Sequence, residues 1–298
     1  MREKPMKIYD VGVIGGGPAG MMAAISAGQR DKSVVLLERN ESLGKKLLLT
    51  GKGRCNFTNN KPIPQIVAAF GKKGRFLYSA LTKFSNQDLI AFFEKRGIKT
   101  KIERGQRVFP QSDQSQTILD CLAAELKKNK VKILHDFRVI KIRKRNEFTL
   151  FSEKGKSVKA IKIILATGGK SYPQTGSTGD GYRLAKDLGH RIIPLKPALA
   201  GLIVHNRKIR NLAGLSLKNI QLTFKTKANI ITSLFGEMLF THQGISGPVV
   251  LLASKTIYEA LGKKEKIIAS IDLKPALNKN QLKKRIYREI HHLSLIHI

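Results

Sequence analysis

Short apolar runs separated by a glycine turn begin the chain. Residues 10–14 are mostly apolar, 15–20 are rich in glycine, 21–30 carry the small side chains of a closely packed helix, and 33–38 form a second apolar run. A strand, a glycine turn, a helix and another strand within about thirty residues are typical of a βαβ unit. The pattern therefore predicts an α/β fold with a doubly wound parallel sheet.

Helical and extended patterns then alternate as far as residue 190. Apolar residues recur at helical spacing after Ser85, the expected N-cap of a helix that stops at Gly97. Ser115 is the expected N-cap of a second amphipathic helix, and Gly189 closes a third. Five apolar segments predict strands, namely 131–134, 138–142, 148–151, 157–159 and 161–165, with a hairpin turn at 153–156.

The pattern changes after Pro194, where a second proline, Pro197, follows closely. A helix is predicted at 249–261. Strands are predicted at 202–205, 220–224, 230–234 and 267–273. We therefore predict two domains, residues 1–190 with the α/β pattern and residues 191–298 with a mostly β pattern.

Composition indicates an ordinary globular protein, with 42% hydrophobic and 26% charged residues. No apolar run approaches the roughly 18 residues of a membrane span, so we expect no membrane association. The basic N-terminus runs directly into the first predicted strand and is not a signal peptide. Cys55 and Cys121 form no Cys-x-x-Cys pair, which favours reduced thiols in a cytoplasmic protein over a disulfide or a zinc site. The oligomeric state is open.

The net charge of +34 admits two interpretations. A strongly basic protein is typical of nucleic-acid or membrane-surface binding. The basic residues are, however, scattered from end to end, the densest cluster (141–145) falls in a strand and turn, and the chain has no Trp for base stacking. Nucleic acid is therefore the less favoured partner, and the charge favours a phosphate-rich ligand.

The glycine turn has the spacing of a dinucleotide-binding fingerprint. Gly15 permits the tight turn, Gly17 lets the backbone approach a pyrophosphate, and Gly20 allows close packing of helix on strand. Pro18 and Ala19 begin the helix, whose free N–H groups and partial positive charge attract phosphates.

The residues after the second strand favour FAD over NAD. Glu38 ends that strand, where a carboxylate accepts hydrogen bonds from ribose hydroxyls, and Arg39 begins a short turn that reaches Gly44. An acid followed by such a turn is the FAD form of the fingerprint. No second Gly-x-Gly-x-x-Gly offers an independent NAD site, and residues 46–54 lack the first glycine of a P-loop.

Several longer motifs resemble one family of proteins. The most specific are Gly44-Lys-Lys-Leu-Leu-Leu-Thr-Gly-Lys-Gly-Arg-Cys-Asn-Phe-Thr-Asn59 and Phe240-Thr-His-Gln-Gly-Ile-Ser-Gly-Pro248. Shorter matches lie at 107–110, 166–169 and 178–182. Over about residues 8–253 the chain resembles the bacterial BaiN/YhiN-like flavoproteins, the aminoacetone oxidase family.

The resemblance implies a Rossmann-like FAD domain with a β-meander crossover and an inserted β-rich substrate domain. It also implies that Lys46, Gly53, Arg54 and Asn56 wrap the FAD, while the backbone near Val139 meets the adenine. Two residues of the 166–169 motif, Thr167 and Gly168, would lie near the phosphates or the ribityl chain.

Candidates for catalysis are fewer. His242 could donate a proton or contact substrate, since its unperturbed pKa is near neutral, or it could only hydrogen-bond the surrounding turn. Cys55 could be a reactive thiol beside Lys52 and Arg54, or simply packed. Asp180 could cap the following helix or contact the flavin side of the site.

These observations predict an FAD-dependent oxidoreductase that acts on a small organic substrate, a carbonyl, amine or enone, with NAD(P)H as a possible transient electron donor. The alternative is an RNA-associated flavoprotein of the tRNA-modifying type that uses the +34 charge.

The family's longer members end with a glycine-rich segment that returns to the FAD domain, and nothing after Pro275 resembles it. Residues 293–298 read like the translated end of a transposon used in sequencing libraries. We therefore expect a truncated chain that is inactive as written, with a tail from Leu293 that has no packing role.

Overall fold

A computed structural model describes residues 7–262 and 266–297. The chain divides into two compact units, Met1–Ile192 and Ile193–Ile298. The division falls beside the boundary that the sequence predicts between residues 190 and 191. The role of the second unit as an inserted substrate domain stays a prediction.

The first unit contains nine strands and seven α-helices among its described residues. The strands are β1 (Ile8–Ile14), β2 (Val34–Leu37), β3 (Thr58–Asn59), β4 (Thr100–Glu103), β5 (Arg107–Pro110), β6 (Lys132–Leu134), β7 (Val139–Lys144), β8 (Phe148–Ser152) and β9 (Ser157–Leu165). The helices are α1 (Pro18–Gly28), α2 (Lys45–Leu49), α3 (Ile63–Ala69), α4 (Tyr78–Lys83), α5 (Asn86–Glu94), α6 (Ser115–Lys128) and α7 (Asp180–Asp187). Three short 3-10 segments lie at Thr50–Gly53, Gly71–Leu77 and Pro173–Thr175.

Six strands form the central sheet in the order β6-β2-β1-β9-β8-β7. The pairs from β6 to β9 are parallel, and β7, β8 and β9 form an antiparallel meander that returns the chain to the sheet. The predicted fold class is therefore confirmed. Every residue of β2 is buried, as expected of a parallel strand covered on both faces.

Two hydrophobic clusters cover the central sheet. One includes Met21 and Ile25 of α1 with Leu122 and Leu126 of α6, all nearly inaccessible to solvent. The other lies around Leu150 with residues of β7 and α7. Burial of each large apolar side chain contributes roughly 1.5–3 kcal/mol, which fixes α1 and its preceding turn against the sheet.

Several helix and strand boundaries in the structure differ from those predicted. Helix α1 begins at Pro18 rather than residue 21, because proline fits the first helical turn. Ser85 does cap α5, in a reciprocal capping box with Asp88. Ser115 is not an N-cap but the first residue of α6, and its hydroxyl donates to the Leu48 carbonyl (3.1 Å). The two strands predicted at 157–159 and 161–165 are one strand, β9.

Apart from α5, the sequence interpretation missed the helices and strands between residues 44 and 110. Helices α2, α3 and α4 and the small sheet β3-β5-β4 were not predicted. These elements are short, and α3 and α4 bury no side chain fully, so they lack the periodic apolar stripe by which helices are recognised.

The second unit has an antiparallel sheet in the order β10-β13-β12-β11-β14. Its elements are β10 (Leu202–Ile203), a 3-10 segment (Arg207–Leu212), β11 (Ser216–Lys225), β12 (Ile230–Thr241), β13 (Gly244–Ser246), α8 (Pro248–Leu261), β14 (Ile268–Asp272) and α9 (Lys279–His297). Helix α8 packs on β12 over its own hydrophobic cluster. The mostly β pattern is present, and β11 and β12 are longer than predicted.

Helix α9 was not predicted, although its start carries a signal. The Asn278 backbone N–H donates to the Gln281 side chain and the Gln281 N–H to the Asn278 side chain, both at 2.9 Å. This is a reciprocal cap of the kind that marks helix N-termini. The expected lack of a packing role from Leu293 onward concerns side chains outside the described residues. No helix in the described ranges is both long and apolar enough to cross a membrane.

Candidate functional site

The carboxyl ends of three parallel strands meet at one edge of the central sheet. Ile14, the last residue of β1, is in register with Leu37 of β2 and Leu165 of β9. The chain leaves β1 toward β2 on one side, while β9 lies on the other side. Open α/β sheets bind ligands in the crevice outside such a switch point.

Three glycines shape the turn that follows β1. Gly15 has a φ of +108°, and a Cβ there would lie 2.5 Å from the Ala166 carbonyl oxygen. At Gly20 a Cβ would lie 1.8 Å from the Gly15 oxygen, so α1 packs directly on the turn. A Cβ on Gly17 would meet no heavy atom within 4 Å. Gly15 and Gly20 are thus required by packing, whereas Gly17 leaves open space.

The N-terminus of α1 is suited to an anion. Gly17 is the N-cap and offers no capping side chain, Pro18 occupies the first turn, and the first turn contains no acid. The free N–H groups and the helix dipole therefore have no competing negative partner on their own helix. Ala19 completes this turn with a side chain too small to obstruct it.

Glu38 places a buried carboxylate beside this turn, with only 6% of its surface exposed. Oε2 accepts the Gly16 backbone N–H at 2.6 Å, and Oε1 accepts the Asn40 N–H at 2.8 Å and the Asn40 amide at 2.7 Å. These donors hold the carboxylate in one orientation. These three N–H groups occupy three of the roughly four lone-pair sites of an ionised carboxylate, so Oε2 keeps acceptor capacity for one hydroxyl group.

A cavity of about 500 Å³ opens between these elements. Its walls include ten of the residues predicted to bind the cofactor: Gly15, Gly17, Pro18, Ala19, Glu38, Arg39, Lys46, Val139, Thr167 and Gly168. Residues far apart in the sequence thus meet at a single site. The volume is in the range of small-molecule and cofactor pockets.

Arg39 ties one wall of the cavity together rather than projecting freely. Its guanidinium donates to the Gly176 carbonyl (3.2 Å), the Thr178 hydroxyl (2.8 Å) and Asp180 (3.3 Å). Arg138 donates to the same Asp180 at 3.0 Å. Burial opposes ionisation of Asp180, but the hydrogen bond and charge of Arg138 and the charge of Arg39 outweigh it and lower the pKa of Asp180.

Asp180 therefore joins two arginines and does not cap α7, whose N-cap is Gly179. Lys46, which also lines the cavity, donates from Nζ to the Ser171 hydroxyl at 3.1 Å. Thr167 lies so close to α7 that a Cβ on Gly181 would be 2.2 Å from its hydroxyl oxygen. The loop after β9 and the start of α7 are thereby fixed next to the cavity.

Three residues implied to wrap the cofactor do not line this cavity. Arg54 pairs with Glu103 (2.7 Å), and its guanidinium stacks on the Phe109 ring at 4.2 Å. Gly53 ends the 3-10 segment Thr50–Gly53 with a φ of +86° that glycine adopts readily. With its amide oriented to satisfy both groups, Asn56 donates to the Val108 and Thr58 carbonyls. All three lie in the loop of the Gly44–Asn59 motif, where Arg54 and Asn56 bond to residues of the small sheet, and their contact with FAD stays a prediction.

Cys55, within the same loop, is fully buried. Burial raises the pKa of its thiol, with a smaller opposing effect of a hydrogen bond from Thr50. A buried thiol with a raised pKa is a poor nucleophile. The packing interpretation of Cys55 therefore fits the structure better than the reactive one.

His242 lies in the second unit, in the turn between β12 and β13, and is exposed. The hydrogen bond that closes this turn runs from the Gly244 N–H to the Thr241 hydroxyl at 3.2 Å. His242 is thus not needed to hold the turn. Its suggested role toward substrate stays a prediction.

Sequence reasoning missed two residues of the site. A Cβ on Gly16 would lie 2.4 Å from Leu43 and 2.8 Å from the Glu38 carboxylate, so the second glycine of the run is needed as well. Asn40 donates to Glu38 and, at 3.2 Å, to the Thr175 carbonyl. The signal for Gly16 is the run of three glycines in the sequence. The signal for Asn40 is its position two residues after Glu38, where an Asn side chain can form a local turn.

The fold and this site define a Rossmann-type protein with a buried acidic residue directly after its second strand. The chain belongs to the HI0933-like Rossmann-domain family, whose model matches residues 9–257. The predicted resemblance to this family is therefore confirmed, and the relatives that the chain matches include a reductase.

Two curated relatives cover most of the chain. It is 34% identical over 276 residues to the 3-dehydro-bile acid delta(4,6)-reductase of Clostridium scindens, covering 92% of this chain and 66% of the relative. It is 30% identical over 279 residues to the ribosomal RNA dihydrouridine synthase of Escherichia coli K12, covering 93% of this chain and 68% of the relative. The chain thus spans about two thirds of the length of these relatives.

Among solved structures, the open conformation of a flavocytochrome c3 fumarate reductase matches with a TM-score of 0.53 and 19% identity. The match covers 72% of this chain and 48% of the other. At this identity the likeness concerns the fold alone, and it agrees with the doubly wound sheet.

Proposed function

We propose that this protein binds FAD in the cavity of its first unit and reduces a carbon–carbon double bond conjugated to a carbonyl group. The observation that carries the first part is the buried Glu38 carboxylate, oriented by Gly16 and Asn40 at the same cavity as the open Gly17 turn. Membership of the HI0933-like family supports the same cofactor.

The residues present fit an FAD. The open space at Gly17 admits a pyrophosphate, the uncapped first turn of α1 would bind it through N–H groups, and Glu38 Oε2 would accept a ribose hydroxyl. Val139 would contact the adenine, and Lys46 would add positive charge near the phosphates. The bound flavin would supply hydride transfer.

The substrate class follows from what two relatives' names have in common. Reduction at positions 4 and 6 of a 3-dehydro bile acid, and conversion of uridine to dihydrouridine, both saturate a double bond conjugated to a carbonyl. Such a substrate accepts a hydride at the carbon β to the carbonyl and a proton at the α carbon. His242 is our candidate for the proton donor, and NAD(P)H is the electron source that we infer.

Visible absorption of the purified full-length protein tests the cofactor. We expect flavin absorption, or its appearance after reconstitution with FAD, and loss of binding in Gly17→Val, because the added side chain would occupy the pyrophosphate position. Since a Cβ at Gly17 meets nothing, the variant should unfold at the temperature of the wild-type apoprotein. A wild-type protein that neither carries nor takes up FAD would contradict the proposal.

RNA is a second candidate substrate, supported by the +34 charge and by the name of the Escherichia coli relative. The reaction type would be the same, because uracil contains a suitable conjugated double bond. NAD(P)H consumption with a ribosomal RNA transcript, compared with an unsaturated 3-oxosteroid, distinguishes the two substrates. We expect turnover of the small molecule; turnover of the transcript alone would favour RNA.

A further inference from the structure

Residues 62–84 form a compact helical segment between β3 and α5. Helices α3 and α4 both pack against the 3-10 segment that joins them. Gly74 makes the approach possible, since a Cβ there would lie 1.9 Å from the Val67 carbonyl oxygen. The segment is therefore a packed structure and not an extended loop.

The two ends of this segment are fastened to each other. Asn86, only 6% exposed, donates its amide to the Asn59 carbonyl at 2.7 Å and to the Lys61 carbonyl at 3.0 Å. Gln87 adds a bond to Asn60 at 2.7 Å. The segment thus leaves and rejoins the first unit at one anchored point.

Aromatic and aliphatic side chains are segregated within it. The exposed fraction is 88% for Phe76, 55% for Phe70, 53% for Tyr78 and 45% for Phe84. The large aliphatic side chains are instead half-buried: Ile63, Ile66, Val67, Leu77 and Leu81. Aromatic residues make up only 6% of the chain, so four exposed rings in 23 residues are a local concentration.

The charge around these rings has one sign. From residue 42 to residue 87 the sequence contains nine Lys and Arg residues and no Asp or Glu. Lys73, Arg75 and Lys83 lie among the rings and are exposed. The segment therefore combines exposed π faces with cations and lacks any acid that would repel a polyanion.

We propose that the 62–84 segment binds single-stranded RNA by stacking unpaired bases on its exposed rings and pairing phosphates with its cations. Rings flanked by Lys and Arg are the features of single-strand binding surfaces. An interfacial membrane segment would present its large aliphatic residues to the lipid together with its aromatic residues, whereas the aliphatic side chains here are half-buried. The inference concerns a surface outside the cavity and does not depend on FAD binding.

Fluorescence anisotropy of the full-length protein with a labelled single-stranded RNA of about 12 nucleotides tests it. We expect Phe76→Ala to bind about tenfold more weakly, Phe76→Trp to retain affinity, and the double variant Lys73→Gln/Arg75→Gln to reduce the dependence of affinity on salt. The matched controls are Phe235→Ala, an exposed ring on β12, and Lys127→Gln/Lys128→Gln on α6; both should bind like wild type.

Three results would overturn this inference: no RNA binding by the wild-type protein, equal losses in the controls, or preference for phosphatidylserine vesicles over RNA. Flavin absorption is recorded for every variant. A variant of the 62–84 segment that loses RNA binding but keeps FAD supports the RNA surface independently of the cofactor. A wild-type protein that binds RNA but no FAD contradicts only the proposed cofactor.

Discussion

At the residue scale, the buried carboxylate of Glu38 is held beside the cavity by backbone and side-chain hydrogen bonds. Its carboxylate is nearly dehydrated, yet it receives three N–H groups from Gly16 and Asn40. A buried anion is retained only where donors replace its hydration. The arrangement thus keeps an oriented acceptor facing the cavity.

We expect Glu38→Gln to weaken FAD binding by roughly tenfold or more, since hydrogen bonds to charged groups contribute about 1.5–3 kcal/mol. Quenching of flavin fluorescence on titration of the apoprotein measures this. Glu41→Gln, which alters a side chain that is 79% exposed, is the control and should bind FAD normally. Equal FAD affinities of wild type and Glu38→Gln would show that Glu38 does not contribute to FAD binding.

At the scale of elements, the segment from Pro173 to α7 depends on Asp180. The carboxylate joins Arg39, after β2, to Arg138, before β7, and thereby fixes the start of α7 at the cavity. Because the pKa of Asp180 is lowered in the folded protein, its contribution to stability is complete above the ordinary value of 3.8. It is lost as the pH falls below that value and through the lower pKa of the folded state.

Asp180→Asn should lower the unfolding free energy at neutral pH by roughly 1–2 kcal/mol, because two arginines lose their charged partner. Thermal unfolding at several pH values should show the difference from wild type shrinking below pH 3.8. Asp187→Asn is the control, because it breaks an exposed ion pair in the same helix and should change stability little. A pH-independent difference between wild type and Asp180→Asn would contradict this assignment.

At the scale of the whole molecule, the division into two units predicts where proteases act. Residues 190–200 contain no helix or strand, and most of them are exposed. Such connecting segments are the preferred sites of proteolytic cleavage.

Limited trypsin digestion should therefore cut early after Arg191, and mass spectrometry of the fragments identifies the site. Added FAD should slow cleavage within the first unit but leave the Arg191 site unprotected. Arg191→Gln should abolish this early cut, whereas Arg183→Gln, within α7, should not. An uncut Arg191 site under conditions that cleave the chain at other positions would contradict an accessible connecting segment.

Local sequence determined those parts of the protein that depend on short-range physics. The strand, glycine turn and helix of residues 8–28 follow from apolar runs and from backbone angles that glycine alone adopts readily. The capping box at Ser85 follows from side chains three residues apart. The position of Glu38 at the end of β2 likewise follows from a fixed spacing within one βαβ unit.

Tertiary structure alone decided how distant segments meet. Nothing local in Arg39 or Asp180 indicates that they pair across 141 positions, or that Asn40 reaches Thr175. The Ser115 hydroxyl bonds a carbonyl 67 residues away instead of capping its own helix, because packing offered the better partner. The sequence does not indicate that the four aromatic side chains of residues 62–84 are exposed; the tertiary structure shows it. Burial depends on which surfaces the whole chain brings together, and periodicity over a few residues does not contain that information.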